Sequence, residues 1–142
     1  MTKKKCIISD FDGTISDYSK REHLRTVDWD KYIQESKNDT PSLPVVEIIN
    51  RFKDDCEIII LSARGERCRK ETTEWLDEFN IYYDQLILKD DSDLRDDCIA
   101  KIDLIRKIQE KYEIFFCIDD RSSCVQSFRD LGLYTFQCGS GY

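Results

Sequence analysis

Five short apolar segments alternate along this 142-residue chain with longer segments whose apolar residues recur at helical spacing. The five are rich in β-branched and aromatic residues and cover residues 5–9, 57–62, 85–88, 114–118 and 133–137. Nearly continuous apolar strands are typical of sheets that are buried on both faces. Strands that alternate with helices are predicted to run parallel and to be joined by right-handed crossovers. The pattern therefore predicts one α/β domain over residues 1–142, with a central parallel sheet.

Four apolar stripes predict the helices that connect and follow these strands. Their members are Val45, Ile48, Ile49 and Phe52; Trp75, Leu76 and Phe79; Ile99, Ile102, Ile105 and Ile108; and Val125, Phe128 and Leu131. Gly132 directly follows the last stripe, where a glycine commonly ends a helix. The last predicted helix therefore stops at this glycine.

Residues 16–44 interrupt the alternation, because this stretch is polar and rich in Lys, Asp, Ser and Asn. It still contains aromatic residues, Trp29 and Tyr32, which are expected to pack against another surface. A long connection that follows the first strand of such a sheet is commonly functional. We therefore expect a small cap or lid here rather than a disordered segment.

The charge balance limits the partners of this chain. It has 22 Lys and Arg residues against 29 Asp and Glu residues, for a formal net charge of −7. That balance excludes a protein that holds nucleic acid by positive charge alone. No apolar run approaches the roughly 20 residues that span a bilayer, and the basic start lacks the apolar core of a signal peptide. The sequence thus predicts a cytoplasmic protein without a membrane partner.

The seven cysteines contain no C-x-x-C pair, and a single histidine, His23, accompanies them. This spacing does not suit a zinc site. The cysteines are Cys6, Cys56, Cys68, Cys98, Cys117, Cys124 and Cys138. We expect buried reduced thiols, with a disulfide or redox role as the alternative.

Acidic residues mark the end of the first predicted strand, which runs directly into Asp10-Phe11-Asp12-Gly13-Thr14. Open parallel sheets place their ligands at the carboxyl ends of the strands. Two acids at positions i and i+2 can point at one small volume when a turn follows, and Gly13 permits that turn. The motif therefore predicts a functional site at this edge of the sheet.

Residues 10–14 resemble motif I of the haloacid dehalogenase-like (HAD) phosphotransferase superfamily. The other three motifs of that family follow in order. Ser62, after the second main strand, resembles the motif II Ser/Thr, and Lys101 resembles the motif III Lys. Asp119 and Asp120, after the fourth main strand, resemble the motif IV acid pair. The resemblance implies a HAD-like Rossmannoid three-layer sandwich with a small cap over residues 16–44.

A closer resemblance is to the 3′-phosphatase domains of bacteriophage polynucleotide kinase/phosphatase. Four stretches show this resemblance. Two of them are residues 119–125, which begin Asp-Asp-Arg, and residues 95–97 together with Lys101. The other two are residues 62–64 together with Trp75, and the closing residues 139–142. This similarity implies a nucleotide or a nucleic acid 3′-end as the substrate.

Catalytic roles and a metal site follow from the resemblance. It implies that Asp10 is the nucleophile, that Asp12 is the general acid and base, and that Lys101 neutralises Asp10 and a phosphoryl oxygen. It also implies Mg²⁺ as the cofactor, held by Asp10, the backbone carbonyl of Asp12, Asp119 and Asp120.

Phosphate-binding and substrate-binding residues are implied in the same way. The residues expected to bind the phosphate are Thr14, Ser62, Arg64 and Lys101. The residues expected to bind the rest of the substrate or to support the site are Arg64, Arg95, Asp97 and Arg121. Arginine suits this role because its planar guanidinium binds phosphate oxygens in pairs. The positive segment of Arg64, Arg67, Arg69 and Lys70 is expected to help a nucleotide dock.

The substrate stays open at this level, because the chain has no G-x-x-x-x-G-K-[ST] kinase motif. A Mg²⁺-dependent 3′-phosphatase of polynucleotide ends or nucleotides is favoured. The alternative is a HAD phosphatase of 5′-nucleotides or other small phosphorylated metabolites. A non-catalytic binding module is disfavoured, since every motif position carries a competent residue. The sequence does not determine the oligomeric state.

Overall fold

The computed structural model describes residues 2–139, so that Ser140, Gly141 and Tyr142 of the predicted closing motif lie outside the described residues. The strands are β1 (Lys4–Ser9), β2 (Ser16–Asp17), β3 (Thr40–Pro41), β4 (Glu57–Gly65), β5 (Gln85–Lys89), β6 (Tyr112–Asp119) and β7 (Thr135–Gln137). The α-helices are α1 (Trp29–Gln34), α2 (Leu43–Phe52), α3 (Arg69–Glu78), α4 (Asp97–Lys111) and α5 (Ser122–Asp130). Short 3-10 turns cover Glu22–Leu24, Glu35–Asn38 and Glu66–Cys68.

Five of the strands form one parallel sheet in the order β5-β4-β1-β6-β7, which confirms the predicted α/β class. The central strand β1 lies between β4 and β6, so Cys6, Ile7 and Ile8 are almost fully buried. Strand β4 continues to Gly65, three residues past its predicted end, with a register shift against β5 between Ser62 and Gly65. This extension carries the chain from the sheet into the site.

Helices cover both faces of this sheet and form a three-layer sandwich. On one face, Ile7 of β1 packs with residues of α2 and α3, such as Ile49 and Leu76. On the other face, Ile8 packs with residues of α4 and α5, such as Ile105. Alternate side chains of one strand thus enter two separate cores, as a pleated strand requires. Over residues 2–139, no helix is both long enough and apolar enough to cross a membrane.

The apolar stripe predicted for α4 differs from the face that this helix buries. Ile99 is 53% exposed, whereas Cys98, Lys101, Ile105 and Ile108 are buried. Residues spaced by three fall about 60° further round the helix at each step, so a stripe of that spacing leaves the buried face. The buried face of α4 includes Lys101 among apolar residues, and a pattern of apolar residues alone could not predict a buried lysine.

The segment of residues 16–44 folds as a short antiparallel ribbon of β2 and β3 that encloses α1 and two 3-10 turns. Asp28 caps α1 by accepting a hydrogen bond of 3.1 Å from the Lys31 amide. Tyr32 is buried, as expected, but Trp29 is 58% exposed. Trp29 packs against the Tyr32 ring, with centroids 5.1 Å apart, although much of its own surface stays exposed.

The expectation of reduced thiols is wrong for two of the seven cysteines, because a disulfide, the alternative considered above, joins Cys98 to Cys124. The two residues lie near the starts of α4 and α5, and their Cα atoms are 5.0 Å apart. The sequence could not reveal this pair, since 26 residues separate its members. The other five cysteines are free.

Breaking this disulfide is expected to destabilise the fold. A loop of this length corresponds to a loss of about 3.5 kcal/mol in the free energy of unfolding, by the chain-entropy estimate. Denaturant titrations with and without a reducing agent measure the difference, and Cys98→Ser with Cys124→Ser should reproduce it. Alkylation of the denatured, unreduced protein should modify five cysteines. Modification of all seven would contradict the pairing.

Candidate active site

The carboxyl ends of three neighbouring strands converge at one edge of the sheet. Asp10 directly follows β1, Ser62 lies within β4, and Asp119 ends β6. The Asp10 amide donates a hydrogen bond of 2.9 Å to the Ile118 carbonyl, which fixes the start of the loop against β6. The sheet order thus brings together residues that lie up to 109 positions apart in the chain.

The turn after β1 depends on Gly13. Its φ angle of +78° is in the left-handed region that favours glycine. A Cβ atom at this position would overlap the Asp120 carboxylate and would lie 2.9 Å from Tyr18 Cζ. Thr14 follows, fully buried, and its hydroxyl donates a 3.4 Å hydrogen bond to Asp10 Oδ2. The turn therefore packs closely against the Asp120 carboxylate and leaves no room for a side chain at position 13.

Three buried carboxylates and one lysine form the centre of the site. Asp10, Asp119 and Asp120 each offer a carboxylate oxygen within 4.8 Å of the others. Lys101 Nζ donates hydrogen bonds of 2.9 Å to Asp10 Oδ1 and 2.7 Å to Asp119 Oδ2. Tyr18 Oη donates a 2.8 Å bond to Asp120 Oδ2. One cation therefore faces three acids.

Burial and mutual repulsion perturb these acids. Burial, followed by the nearby Asp119, raises the pKa of Asp10 well above its ordinary value, although Lys101 opposes the rise. Burial also raises the pKa of Asp120. For Lys101, burial alone would lower the pKa, but Asp10 and Asp119 outweigh it and raise the value. The ammonium group therefore stays charged, while the acids carry an excess of negative charge that a divalent cation would offset.

Asp12 points away from this cluster and is held by two arginines. Arg64 binds it through both carboxylate oxygens, with Nε 2.8 Å from Oδ2 and Nη2 2.7 Å from Oδ1. Arg21 Nη2 adds a 2.6 Å bond to Oδ1. Burial alone would raise the pKa of Asp12, but Arg64 and Arg21 outweigh it and lower the value. The Asp12 carboxyl group is therefore ionised in this state.

Arg21 and its partner Asp39 were not predicted by the sequence analysis. Arg21 is 2% exposed and binds Asp39 through Nε and Nη2, both at 2.9 Å from a carboxylate oxygen. The Asp39 carbonyl in turn accepts a 3.0 Å hydrogen bond from Trp75 Nε1. Both residues lie in the polar segment 16–44, where they are two of many charged residues. No spacing in the sequence distinguishes them.

A cavity of about 360 Å³ opens above these groups. The predicted site residues that line it are Asp10, Asp12, Ser62, Arg64, Asp97, Lys101, Asp119, Asp120 and Arg121. Thr14 lies beneath the cavity and contacts Asp10 rather than the open space. The Ser62 side chain is held in place locally, because its hydroxyl accepts a 3.1 Å hydrogen bond from the Arg64 amide.

Arg121 and Arg95 occupy different surroundings. Arg121 lines the cavity and contacts Asp97 Oδ2 at 3.4 Å and Asp96 Oδ2 at 3.6 Å. Arg95 does not line it, because its guanidinium is bound to Asp93 and Asp103. The structure therefore gives no support to a direct substrate contact by Arg95.

The positive segment after β4 is largely neutralised by its own neighbours. Arg69 pairs with Glu66, and Lys70 lies 4.0 Å from Glu74. Arg64 is the member of this segment that lines the cavity. The segment thus contributes one guanidinium to the site rather than a broad basic patch.

Known proteins resemble this chain over its whole length. A family model described as the polynucleotide kinase PNKP phosphatase domain matches residues 4–142. The Pnkp1 chain in a structure of a Pnkp1/Rnl/Hen1 complex is 31% identical, with a TM-score of 0.83 over 100% of this chain and 47% of that chain. A second structure, of the Pnkp1/Rnl/Hen1 RNA repair complex, gives 31% identity and a TM-score of 0.82 over 99% and 43%. The chain thus spans about half the length of these relatives.

More distant structures share the fold. A HAD family enzyme from Bacteroides thetaiotaomicron, solved in complex with magnesium and inorganic phosphate, is 12% identical, with a TM-score of 0.58 over 98% of this chain and 96% of that chain. No curated protein matched. The family match and the Pnkp1 likeness agree with the acid cluster at the carboxyl edge of the sheet. The chain therefore belongs to the family of PNKP phosphatase domains, within the HAD-like hydrolases.

Proposed function

We propose that the protein is a Mg²⁺-dependent phosphomonoesterase that acts through an aspartyl-phosphate and removes 3′-phosphates from polynucleotide ends or nucleotides. One observation carries the proposal. The buried Asp10 carboxylate, paired with Lys101, shares a cavity with Asp12 and its two arginines. This arrangement supplies a nucleophile, a proton donor and cationic ligands for a phosphate.

Asp10 acts as the nucleophile in the first step. Its Oδ1 is engaged by Lys101 and its Oδ2 by Thr14, so the carboxylate has a fixed orientation. An oxygen of Asp10 attacks phosphorus in line, the bond to the ester oxygen breaks, and an aspartyl-phosphate forms. Lys101 lies where it can balance charge on both Asp10 and the transferred group.

Asp12 moves the protons in both steps. It donates one to the leaving ester oxygen, and it later accepts one from the water that hydrolyses the aspartyl-phosphate. The two arginines keep Asp12 ionised in the described state. A substrate phosphate competes for the same guanidinium groups, so its arrival weakens their hold on Asp12 and lets this residue take up a proton.

The acid cluster fits a magnesium ion. Asp10, Asp119 and Asp120 provide hard oxygen ligands of the kind that Mg²⁺ prefers, close enough together to share one ion. When bound, Mg²⁺ neutralises the repelling acids and polarises a phosphoryl oxygen. The chain itself fixes these acids through Lys101, Tyr18 and the Arg121 amide, which donates a 3.0 Å bond to Asp119 Oδ1.

Family membership and the cavity support a nucleotide substrate. The related Pnkp1 chains are found in complexes with Rnl and Hen1, one of them described as an RNA repair complex. Arg64 and Arg121 offer guanidinium groups at the cavity, and residues of the segment 16–44, such as Trp29 and Tyr32, line it, which supports the proposal that this segment is a small cap. A few arginines suffice for one phosphorylated end, even in a chain with a net charge of −7.

A substrate panel tests this proposal. We expect phosphate release from a 3′-phosphorylated oligonucleotide or a 3′-mononucleotide in the presence of Mg²⁺, and none after chelation with EDTA. The panel also includes 5′-mononucleotides and sugar phosphates. Release from sugar phosphates alone would contradict nucleotide specificity. Absence of any turnover with Mg²⁺ bound would instead indicate a binding module.

A further inference from the structure

The cap contributes an apolar wall to a cavity whose floor is charged. Trp29, Tyr32 and Ile33 line this wall, whereas acids, Lys101 and arginines line the floor. A phosphate on a sugar would use the floor only. A nucleotide offers an anionic group and an aromatic base on opposite sides of its ribose, which matches both parts of the cavity.

Trp29 is the most exposed part of this wall. It is 58% exposed although it is among the largest apolar side chains, and exposed tryptophans commonly mark binding surfaces. Its ring stacks on Tyr32, with centroids 5.1 Å apart and an angle of 28° between the planes. One side of the indole is thus supported by protein, while much of the rest of the residue faces solvent at the cavity.

The support of Trp29 continues to the catalytic floor. The Tyr32 ring lies 4.3 Å from the Arg21 guanidinium carbon, and Arg21 binds Asp12 at 2.6 Å. Arg21 is also anchored by Asp39, which is 3% exposed. The indole is therefore held by a chain of contacts that ends at the residue that moves protons in the reaction.

We propose that Trp29 is the stacking platform for the base of the nucleotide whose phosphate is removed, so that the enzyme prefers a terminal nucleotide that carries its base over a base-free phosphomonoester. This inference rests on the proposed 3′-phosphatase function. Stacking on an indole is tolerant of base identity, because every base has a π-face. Trp29 thus confers a preference for nucleotides without a sequence preference.

Steady-state kinetics on two matched substrates test the proposal. One is a single-stranded 3′-phosphorylated oligonucleotide, and the other is identical except for an abasic terminal residue. Trp29→Ala should raise KM for the first about 5- to 150-fold, with a much smaller effect for the second. Trp29→Phe should retain most of the affinity. The matched control is Tyr134→Ala, which removes a 70% exposed aromatic residue. Tyr134 directly precedes β7 and so lies at the amino end of this parallel strand, whereas the site lies at the carboxyl ends.

Fluorescence provides an independent readout, since the two tryptophans differ in environment. Trp75 is 5% exposed, so a ligand that stacks on Trp29 should quench the emission of the exposed residue. We expect quenching by the base-carrying oligonucleotide in the Asp10→Asn background, and little by the abasic one.

Three outcomes would overturn the inference. Equal losses on both oligonucleotides for Trp29→Ala would show a structural role. Unchanged kinetics and no quenching would show that Trp29 does not contact the substrate. Failure of the wild-type enzyme to release phosphate from any 3′-phosphorylated nucleotide would remove the proposed function itself, and this result is recognised before any variant is made.

Discussion

Asp10→Asn is expected to abolish phosphatase turnover, with a loss of about 10⁴-fold or more in kcat. The amide oxygen can still accept a hydrogen bond from Lys101, but a neutral amide does not attack phosphorus. The measurement is phosphate release under single-turnover conditions with Mg²⁺. Acid-quenched wild-type enzyme should contain a phosphorylated aspartate, and the variant should contain none.

The fold should survive this change. Asp10 belongs to a buried group of three acids that faces one lysine, so removal of one negative charge relieves repulsion. The free energy of unfolding without metal should therefore equal or exceed that of the wild type. Asp130→Asn, at an exposed acid that ends α5, is the matched control and should keep full activity. Wild-type turnover by Asp10→Asn would disprove its role as nucleophile.

The sequence was sufficient to predict the parts of the fold that depend on apolar patterning. Nearly continuous apolar strands that alternate with helices are typical of a parallel sheet covered on both faces. Because parallel strands end at the same edge, Asp10, Ser62 and Asp119 come together there. The site motifs lie at the ends of those strands. Their positions therefore followed from the strands themselves.

Other parts of the site depend on contacts between distant residues. Arg21 reaches Asp12 only because the ribbon of β2 and β3 folds residues 16–44 back over the sheet, and no periodicity encodes that return. The Cys98–Cys124 disulfide likewise depends on how α4 and α5 pack. Arg95 stays a prediction from its motif position, and in this structure its side chain pairs with Asp93 and Asp103.

Lys101→Met is expected to lower the free energy of unfolding by about 3 to 5 kcal/mol near neutral pH. Lys101 is 4% exposed and is bound to both Asp10 and Asp119. Methionine fills a similar volume but leaves buried carboxylates without their cation, which is the costly way to break a buried ion pair. Urea titration of the metal-free protein measures the loss.

The pH dependence of this loss identifies its electrostatic origin. Burial and Asp119 raise the pKa of Asp10, so its carboxyl group binds a proton more tightly in the folded than in the unfolded state. Such a group stabilises the fold below its unfolded pKa, and that contribution is lost as the pH rises through the folded pKa. Without Lys101 the folded pKa rises further. The deficit of Lys101→Met should therefore be small in acid and should grow towards neutral pH.

Magnesium distinguishes the structural from the catalytic role of Lys101. A divalent cation bound by Asp10, Asp119 and Asp120 offsets the same negative charge that Lys101 offsets. Saturating Mg²⁺ should therefore restore much of the stability of Lys101→Met, while turnover stays low because no ammonium group faces the transferred phosphoryl group. A deficit that is independent of both pH and Mg²⁺ would show that Lys101 contributes through packing alone.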